Sequence, residues 1–414
     1  MASRWHDALR GAGILAAAAA LALAAGTTGA AAAGTVQVGL LVPLSGPWAR
    51  QGQVMREGAE LAVEHINAAG GIAALDGARL ELVVFDAGDS VERAKNAAQR
   101  MVAEAPDLVA ACGSFLSSFT LAVTEVTERA ALPVITLSYS DQITERGYAF
   151  VFQSSATGAT QAAQALPVLV KLAEDASGTR PKTVAIIKDN TAASLAFVKP
   201  MQAGGLESLG LELVVDETYT PPLADATPLI QRLRAARPDL LLLLPTVISD
   251  AKLLLEKMAE FGLGRGHLPT ISNGTAIADP DLLNTMNVDL LEGVMSIVAN
   301  WGAKGQEQLI EAFKAKSGEP WMIQNPLSTY GHIWIVKQAL ESAGIADRRA
   351  VARAIREMDL TDGPAAYFPG HRVAWDEKGR RIGAGLLVVQ WQGGEPVTVY
   401  PPESAVATPA WPQR

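Results

Sequence analysis

VQVGLLVPLSGPWARQGQVMREGAELAVEHINAAGGI, residues 36–72, reads as a strand, a tight turn, a helix and a glycine stop. Residues 36–42 are an apolar, β-branched run of strand length, the pattern of a strand buried on both faces. Ser45-Gly46-Pro47 breaks that run. From Gly52 onward, Met55, Ala59, Ala62, Val63 and Ile66 recur at threes and fours, which is one face of a helix. Asn67-Ala68-Ala69-Gly70-Gly71 then supplies a C-terminal stop. The alternation continues outward, with strands expected at 80–85, 108–112 and 134–137 and helices at 91–103 and 117–130. Short punctuated loops between them indicate a parallel sheet covered by helices on both sides.

A second series follows. Helices are expected at 159–173, 195–209, 228–236 and 250–261, and strands at 183–187, 213–217 and 240–244. Two alternating sets of this size indicate two Rossmann-like lobes. The last third differs: 307–316, 329–342 and 349–358 read as helices with no strands between them, and strand signals resume at 371–375 and 386–391. Helices without their own strands must bury their apolar faces on an existing sheet, so they are expected to return to the first lobe. The expected division is 34–154 with 299–384 for lobe 1 and 155–298 with 385–414 for lobe 2, joined by a hinge of several crossings that suits closure around a ligand. The tail from Pro401 is rich in Pro, Ala and Ser and reads as a surface strap or a disordered end.

Residues 1–33 are read as a secretory signal peptide. Arg4 and Arg10 precede an apolar core at 14–25, and Ala31-Ala32-Ala33 offers small residues for cleavage. The core is shorter than the roughly 20 residues a membrane span needs. Cys112 is the only cysteine, so there is no lipidated cysteine after the apolar core and no internal disulfide. The remaining chain of about 381 residues is long enough for two domains. Removing Arg4, Arg10 and Asp7 leaves a net charge of about −10, which argues against nucleic acid and anionic membrane as partners.

Enzyme motifs are missing. There is no Gly-x-Ser-x-Gly elbow, no Walker loop and no His-Glu-x-x-His, and His65, His267, His332 and His371 have no metal-ligand spacing to one another. Gly262-Leu263-Gly264-Arg265-Gly266 follows a helix rather than a strand, so it reads as a cap and turn and not as a dinucleotide loop. No cofactor is expected. Two hydroxyl-rich loops are better candidates. The stretch 113–120, Gly-Ser-Phe-Leu-Ser-Ser-Phe-Thr, joins a buried strand to a helix N-terminus, a favourable place for a carboxylate unless Ser117 or Ser118 only caps the helix. Ser138-Tyr139-Ser140-Asp141 follows the next strand, and ligands of open α/β sheets bind at such strand ends.

Several stretches in order resemble the leucine/isoleucine/valine-binding type of periplasmic binding protein. They are Pro43-Leu44-Ser45-Gly46-Pro47, Gly58-Ala59-Glu60-Leu61-Ala62, 67–71, the 113–118 loop, Pro133-Val134-Ile135-Thr136 and Thr144-Glu145-Arg146-Gly147-Tyr148. Trp375-Asp376-Glu377-Lys378-Gly379 and Gln390-Trp391 also match, so the resemblance spans essentially the whole mature chain. It implies an α/β protein of two lobes, exported to the periplasm, that captures a small solute and passes it as a monomer to the permease subunits of an ABC importer. A sensing subunit of the same fold, acting on a receptor or regulator, is the alternative, and a secreted α/β hydrolase a distant third.

The resemblance also implies site residues. A serine hydroxyl for the ligand carboxylate falls on Ser117, backbone groups and one hydroxyl on Ser138, Tyr139 and Ser140, and a pocket-lining position on Gln51. The second lobe would close through 190–194, including Asn190 and Ala193, and through 245–247, including Thr246 and Val247. Here the chain departs from the family: 189–194 carries no aromatic residue, and the loop 271–276, with Gly274, has no carboxylate for a ligand ammonium. Asp279-Pro280 reads as a helix start. A buried ammonium without a carboxylate is costly, so a carboxylate lacking the amino group, an aromatic acid or a small amide stands beside the amino acid as expected cargo. Trp48, Trp301 and Tyr330 are candidates for an aromatic wall, with local or hinge packing as the competing role. Arg50 is a possible counter-ion or a solvated turn residue.

Overall fold

The computed structural model describes residues 34–302 and 304–410. The leader expected at 1–33 lies outside them. The opening segment folds as read: β1 (Thr35–Val42) leads through a turn into α1 (Ala49–Ala68). There follow β2 (Arg79–Asp86), α2 (Val91–Glu104), β3 (Leu108–Gly113), α3 (Ser117–Arg129), β4 (Val134–Thr136) and β5 (Val151–Gln153). Their strands form a five-stranded sheet of order β2-β1-β3-β4-β5, parallel throughout. Its central strands are apolar on both faces because helices cover both. One face packs Val38, Leu40 and Ala110 under α1, and the other packs Leu41, Leu108 and Ala111 under Ala94, Ala97 and Met101 of α2.

The second sheet begins after α4 (Gly158–Ser177) with β6 (Thr183–Asp189), α5 (Ala192–Pro200), β7 (Glu212–Tyr219), α6 (Thr227–Ala236), β8 (Leu240–Leu244), α7 (Ile248–Glu260), β9 (Thr270–Asn273) and β10 (Met295–Val298). The chain then builds α8 (Glu307–Ser317), α9 (Gln324–Ala343) and α10 (Arg348–Arg356), which bury Phe313, Leu327, Ile333, Val336 and Ile355 against β1, β2 and β3. After the small antiparallel pair β11 (Asp359–Leu360) and β12 (Val373–Ala374), it returns as β13 (Leu387–Gln392) and β14 (Glu395–Tyr400). The resulting seven-stranded sheet runs β14-β13-β10-β9-β8-β6-β7, with β13 and β14 antiparallel and the rest parallel. The sheets are linked at 154–157, 299–301 and 381–386, where the chain changes from one to the other.

Three details differ from the sequence reading. The second sheet is mixed rather than parallel, because β13 and β14 form a hairpin across Gly393 and Gly394, whose positive φ values of 62° and 93° suit a two-residue turn. The helix expected at 195–209 is broken: α5 ends at Pro200, and a wider turn follows in which Gly204 has φ 105°. The helix expected from 329 begins instead at Gln324, since Pro326 falls in its first turn, where its missing N–H costs nothing. Among the described residues, the tail at 401–410 is a strap. Val406 and Ala407 donate to the Thr398 carbonyl, and Gln390 exchanges hydrogen bonds with the Ala410 backbone.

Candidate functional site

Between the sheets lies a cavity of about 50 Å³, lined by the loops that leave the carboxyl ends of β3, β4, β6, β8 and β9 and by the first turn of α9. That is where an open α/β sheet presents its ligand site. The first-lobe wall rests on one hydrogen-bonded unit. Ser117 opens α3 but does not cap it, since the residue before it, Leu116, is the cap and offers no side-chain bond. Instead Ser117 Oγ accepts the main-chain N–H groups of Tyr139 and Ser140, both at 3.1 Å. Capping by Ser117 is thereby excluded, and its hydroxyl proton stays unspent.

The surrounding side chains hold that geometry. Ser138 Oγ donates to the Phe115 carbonyl at 2.7 Å and meets Thr120 Oγ1 at 2.7 Å and Thr136 Oγ1 at 3.0 Å, so its hydroxyl is committed to the scaffold. Those bonds keep Phe115 at φ 77°, a left-handed conformation unusual for a bulky residue and typical of functional loops. Gly113 begins the same loop at φ 141°, and a Cβ there would lie 2.0 Å from the Leu41 carbonyl oxygen, so only glycine fits. Gln153 Nε2 donates to the Ser138 and Ser140 carbonyls at 2.7 and 3.2 Å. The Tyr139 hydroxyl donates to Gln324 Oε1 at 2.7 Å, and burial raises its pKa far above the ordinary value.

The second-lobe wall is made of Ala193, Ser194, Pro245, Thr246 and the 273–276 turn around Gly274. Asp189 stands behind it, fully buried, and accepts the N–H and O–H of both Thr191 and Thr246. The lobes touch directly. Trp48 stacks edge-on against Phe119 at 5.7 Å and donates from Nε1 to Thr246 Oγ1 at 3.4 Å, and Val247 joins their apolar cluster. Thr275 Oγ1 donates to Asn325 Oδ1 at 3.3 Å. Arg50 is half-buried and not free: it pairs with Asp279 at 3.4 Å and with Glu319 at 2.6 Å. Asp279 also accepts the Asp281 N–H at 3.0 Å, but the short helix there starts at Asp281 with Pro280 as its cap, one residue later than the sequence reading placed it. Burial pushes the Asp279 pKa up to about 6, against the pull of Arg50. The cleft has room for only a few waters.

The sequence pattern of the periplasmic binding protein family matches residues 35–395. The chain belongs to the periplasmic binding protein family. This periplasmic binding protein is 28% identical over 388 residues to Leu/Ile/Val-binding protein homolog 8 of Brucella melitensis, covering 91% of its own length and 93% of the relative's. It is 28% identical over 404 residues to homolog 7 of the same organism, covering 95% and 98%. Among solved structures it resembles the leucine-binding protein LivK of Thermotoga maritima, with a TM-score of 0.73, 20% identity and coverage of 88% and 97%. It also resembles a solute-binding protein of an ABC transporter from Rhodopseudomonas palustris, in complex with 3,4-dihydroxybenzoic acid, with a TM-score of 0.71, 22% identity and coverage of 87% and 95%. These structural likenesses establish the two-lobed α/β fold. No helix among the described residues is long and apolar enough to cross a membrane.

Of the residues singled out from sequence, Ser117, Ser138, Tyr139, Ala193, Thr246 and Gly274 line the cavity of this binding protein. Ser140 sits one residue beyond, bonded to Ser117, and Val247 is packed beneath the rim. Gln51 is fully buried in the first turn of α1 with no hydrogen-bond partner for either amide atom, outside the lining. Asn190 is exposed and donates to Thr220 Oγ1 at 2.9 Å, away from the cavity. The expected aromatic wall does not form: Trp301 packs with Val54, Ala278 and Ile323, Tyr330 is core and bonds His65 at 2.9 Å, and the aromatics that line the cavity are Phe115 and Tyr139. Sequence reading missed Gln324 and Asn325, and from the 271–276 loop it singled out Gly274 but not Asn273 or Thr275, which also line the cavity. A polar pair directly before Pro326 at a helix start was the available signal for the first two.

Proposed function

We propose that this protein captures a small carboxylate-bearing or amide solute, of the branched-chain amino acid or aromatic acid class, and delivers it to an ABC importer. The observation that carries the reading is Ser117, whose oxygen accepts two main-chain N–H groups while its proton remains free at the N-terminus of α3, where an oxyanion is favoured. The Ser140 hydroxyl, one residue beyond the lining, completes that end of the site. Lobe 1, taken as 34–154 with 299–384, holds the anion, and lobe 2, taken as 155–298 with 385–414, closes over it. The ligand's stronger binding to the closed form drives that closure, and the closed form is what permease subunits recognise. The Leu/Ile/Val-binding names of the relatives and the dihydroxybenzoate complex support this ligand range. The protein acts in the periplasm after cleavage near residue 33, as a monomer, by capture rather than catalysis. Thermal melting of the mature chain with a panel of amino acids, aromatic acids and amides tests the reading. A rise of several degrees with at least one of them, lost in Ser117→Ala, is expected; no shift across the whole panel would overturn it.

A further inference from the structure

The cleft divides its polar atoms unevenly between donors and acceptors. Ser117 keeps its proton. Gln324 Oε1 accepts both the Tyr139 hydroxyl and, at 2.6 Å, the Ala299 N–H; because an amide N–H can only donate, the oxygen end of Gln324 is fixed toward the crossing and Nε2 is its free end. Asn325 Oδ1 is engaged by Thr275 across the cleft, and its Nδ2 is buried without a partner. These are all unspent donors.

The nearby acceptors are neutral, and most are already engaged. The Ser138 and Ser140 carbonyls take Gln153, the Phe115 carbonyl takes Ser138, and the Leu244 carbonyl takes Ser194 at 3.3 Å. No carboxylate lines the cavity among the described residues. Asp189 is filled by Thr191 and Thr246, and Asp279 is engaged by Arg50. Asn273 donates to Gln161 and leaves a neutral amide oxygen toward the cleft. An ammonium buried here meets no counter-charge, and free amide N–H groups face it with the wrong polarity. An oxygen atom satisfies the same groups.

We propose that the ligand is an oxygenated carboxylic acid without an ammonium group, an oxo or hydroxy acid, with its carboxylate at Ser117 and its second oxygen at the side-chain amides of Gln324 and Asn325. The inference rests on the carboxylate-capture reading above. Calorimetric titration of the mature protein with three matched sets tests it: leucine, 4-methyl-2-oxopentanoate and 4-methylpentanoate; phenylglycine, mandelate and phenylacetate; and 4-hydroxybenzoate with benzoate. In at least one set the oxygenated acid binds about tenfold tighter than its plain and amino counterparts, the worth of one good hydrogen bond. Asn325→Asp, which replaces the free donor by an acceptor of nearly the same shape, narrows that preference. An amino acid or a plain acid that binds as tightly as the oxygenated member of every set overturns the proposal and leaves carboxylate capture standing. If no acid in any set binds, carboxylate capture falls as well.

Discussion

The two walls of the cleft are built on opposite principles. In the first-lobe wall, Thr120, Thr136, Ser138 and Gln153 spend their side chains on holding two loops, so that Ser117 and the adjoining N–H groups keep one geometry. The second-lobe wall is small and neutral, made by Ala193, Pro245 and the Gly274 turn, and its acidic residues are spent behind or beside it. One wall is held in a single geometry by its own side chains, as the proposed anion site requires. The other contributes shape and the contacts that close the lobes, Trp48 to Thr246 and Arg50 to Asp279. Pre-organisation of polar groups lowers the cost of ordering them at binding.

Glycine substitutions should break this comparison most visibly. Gly113→Ala forces a Cβ against the Leu41 carbonyl in a left-handed backbone, and it should cost about 3 kcal/mol or more of stability in urea unfolding. Gly274→Ala meets no atom within 4 Å and bears only the strain of φ 93°, so about 1 kcal/mol is expected. Equal losses would mean that the second wall is as rigid as the first. Ser117→Ala comes next. It removes the free donor from the pre-organised wall, and calorimetry should show ligand affinity falling about 30-fold, the loss of one hydrogen bond to a charged group. Thr246→Val on the opposite wall should cost affinity much less.

The same asymmetry decided what was legible in the sequence. The strand-turn-helix at 36–72 and the loops after β3 and β4 carry local signals, glycine and hydroxyl residues at strand ends, and these pointed to Ser117, Ser138 and Tyr139, which line the cavity, and to Ser140, one residue beyond it. Gln324 and Asn325 are brought there only by the return of α8–α10 to the first sheet, a contact hundreds of residues from β3 that no local pattern encodes. Pro326 also masked their helix, since proline reads as a breaker unless the first turn is already known. The roles of Arg50 and Trp48 were hidden for a related reason. A turn residue looks solvated until the opposite lobe closes on it. The β13–β14 hairpin, by contrast, was readable from Gly393-Gly394 and was missed.

Acidity probes the closing contact between the walls. Asp279 is fully buried with Oδ2 unpartnered, and burial, only partly offset by Arg50, raises its pKa to about 6 from 3.8. The folded protein therefore holds this proton more tightly than the unfolded chain. Stability from this group is present in full below about pH 4 and is lost as the pH rises through about 6. Asp250, raised to about 6 chiefly by burial, acts in the same direction. Melting temperatures measured at pH 5 and pH 7.5 should thus favour the lower pH by an amount that shrinks in Asp279→Asn. That variant, with Arg50 still paired to Glu319, should gain on the order of 1 kcal/mol at pH 7.5. A loss there would show that the Arg50–Asp279 ion pair is worth more to closure than the burial of its carboxylate costs.

The smallest effect is expected at Asn190, and it sharpens the comparison most finely. Its side chain is exposed and reaches Thr220 on the outside of the second lobe, while the neighbouring Ala193 and Ser194 line the cavity. An exposed neutral hydrogen bond contributes little, so Asn190→Ala should change stability by less than about 0.5 kcal/mol and affinity by less than about twofold. If calorimetry instead shows affinity falling fivefold or more, the bound ligand must extend past Ala193 to the rim. The second wall would then recognise polar groups of its own. An unchanged affinity leaves recognition with the first lobe and the α9 amides, and leaves the second lobe the work of closure.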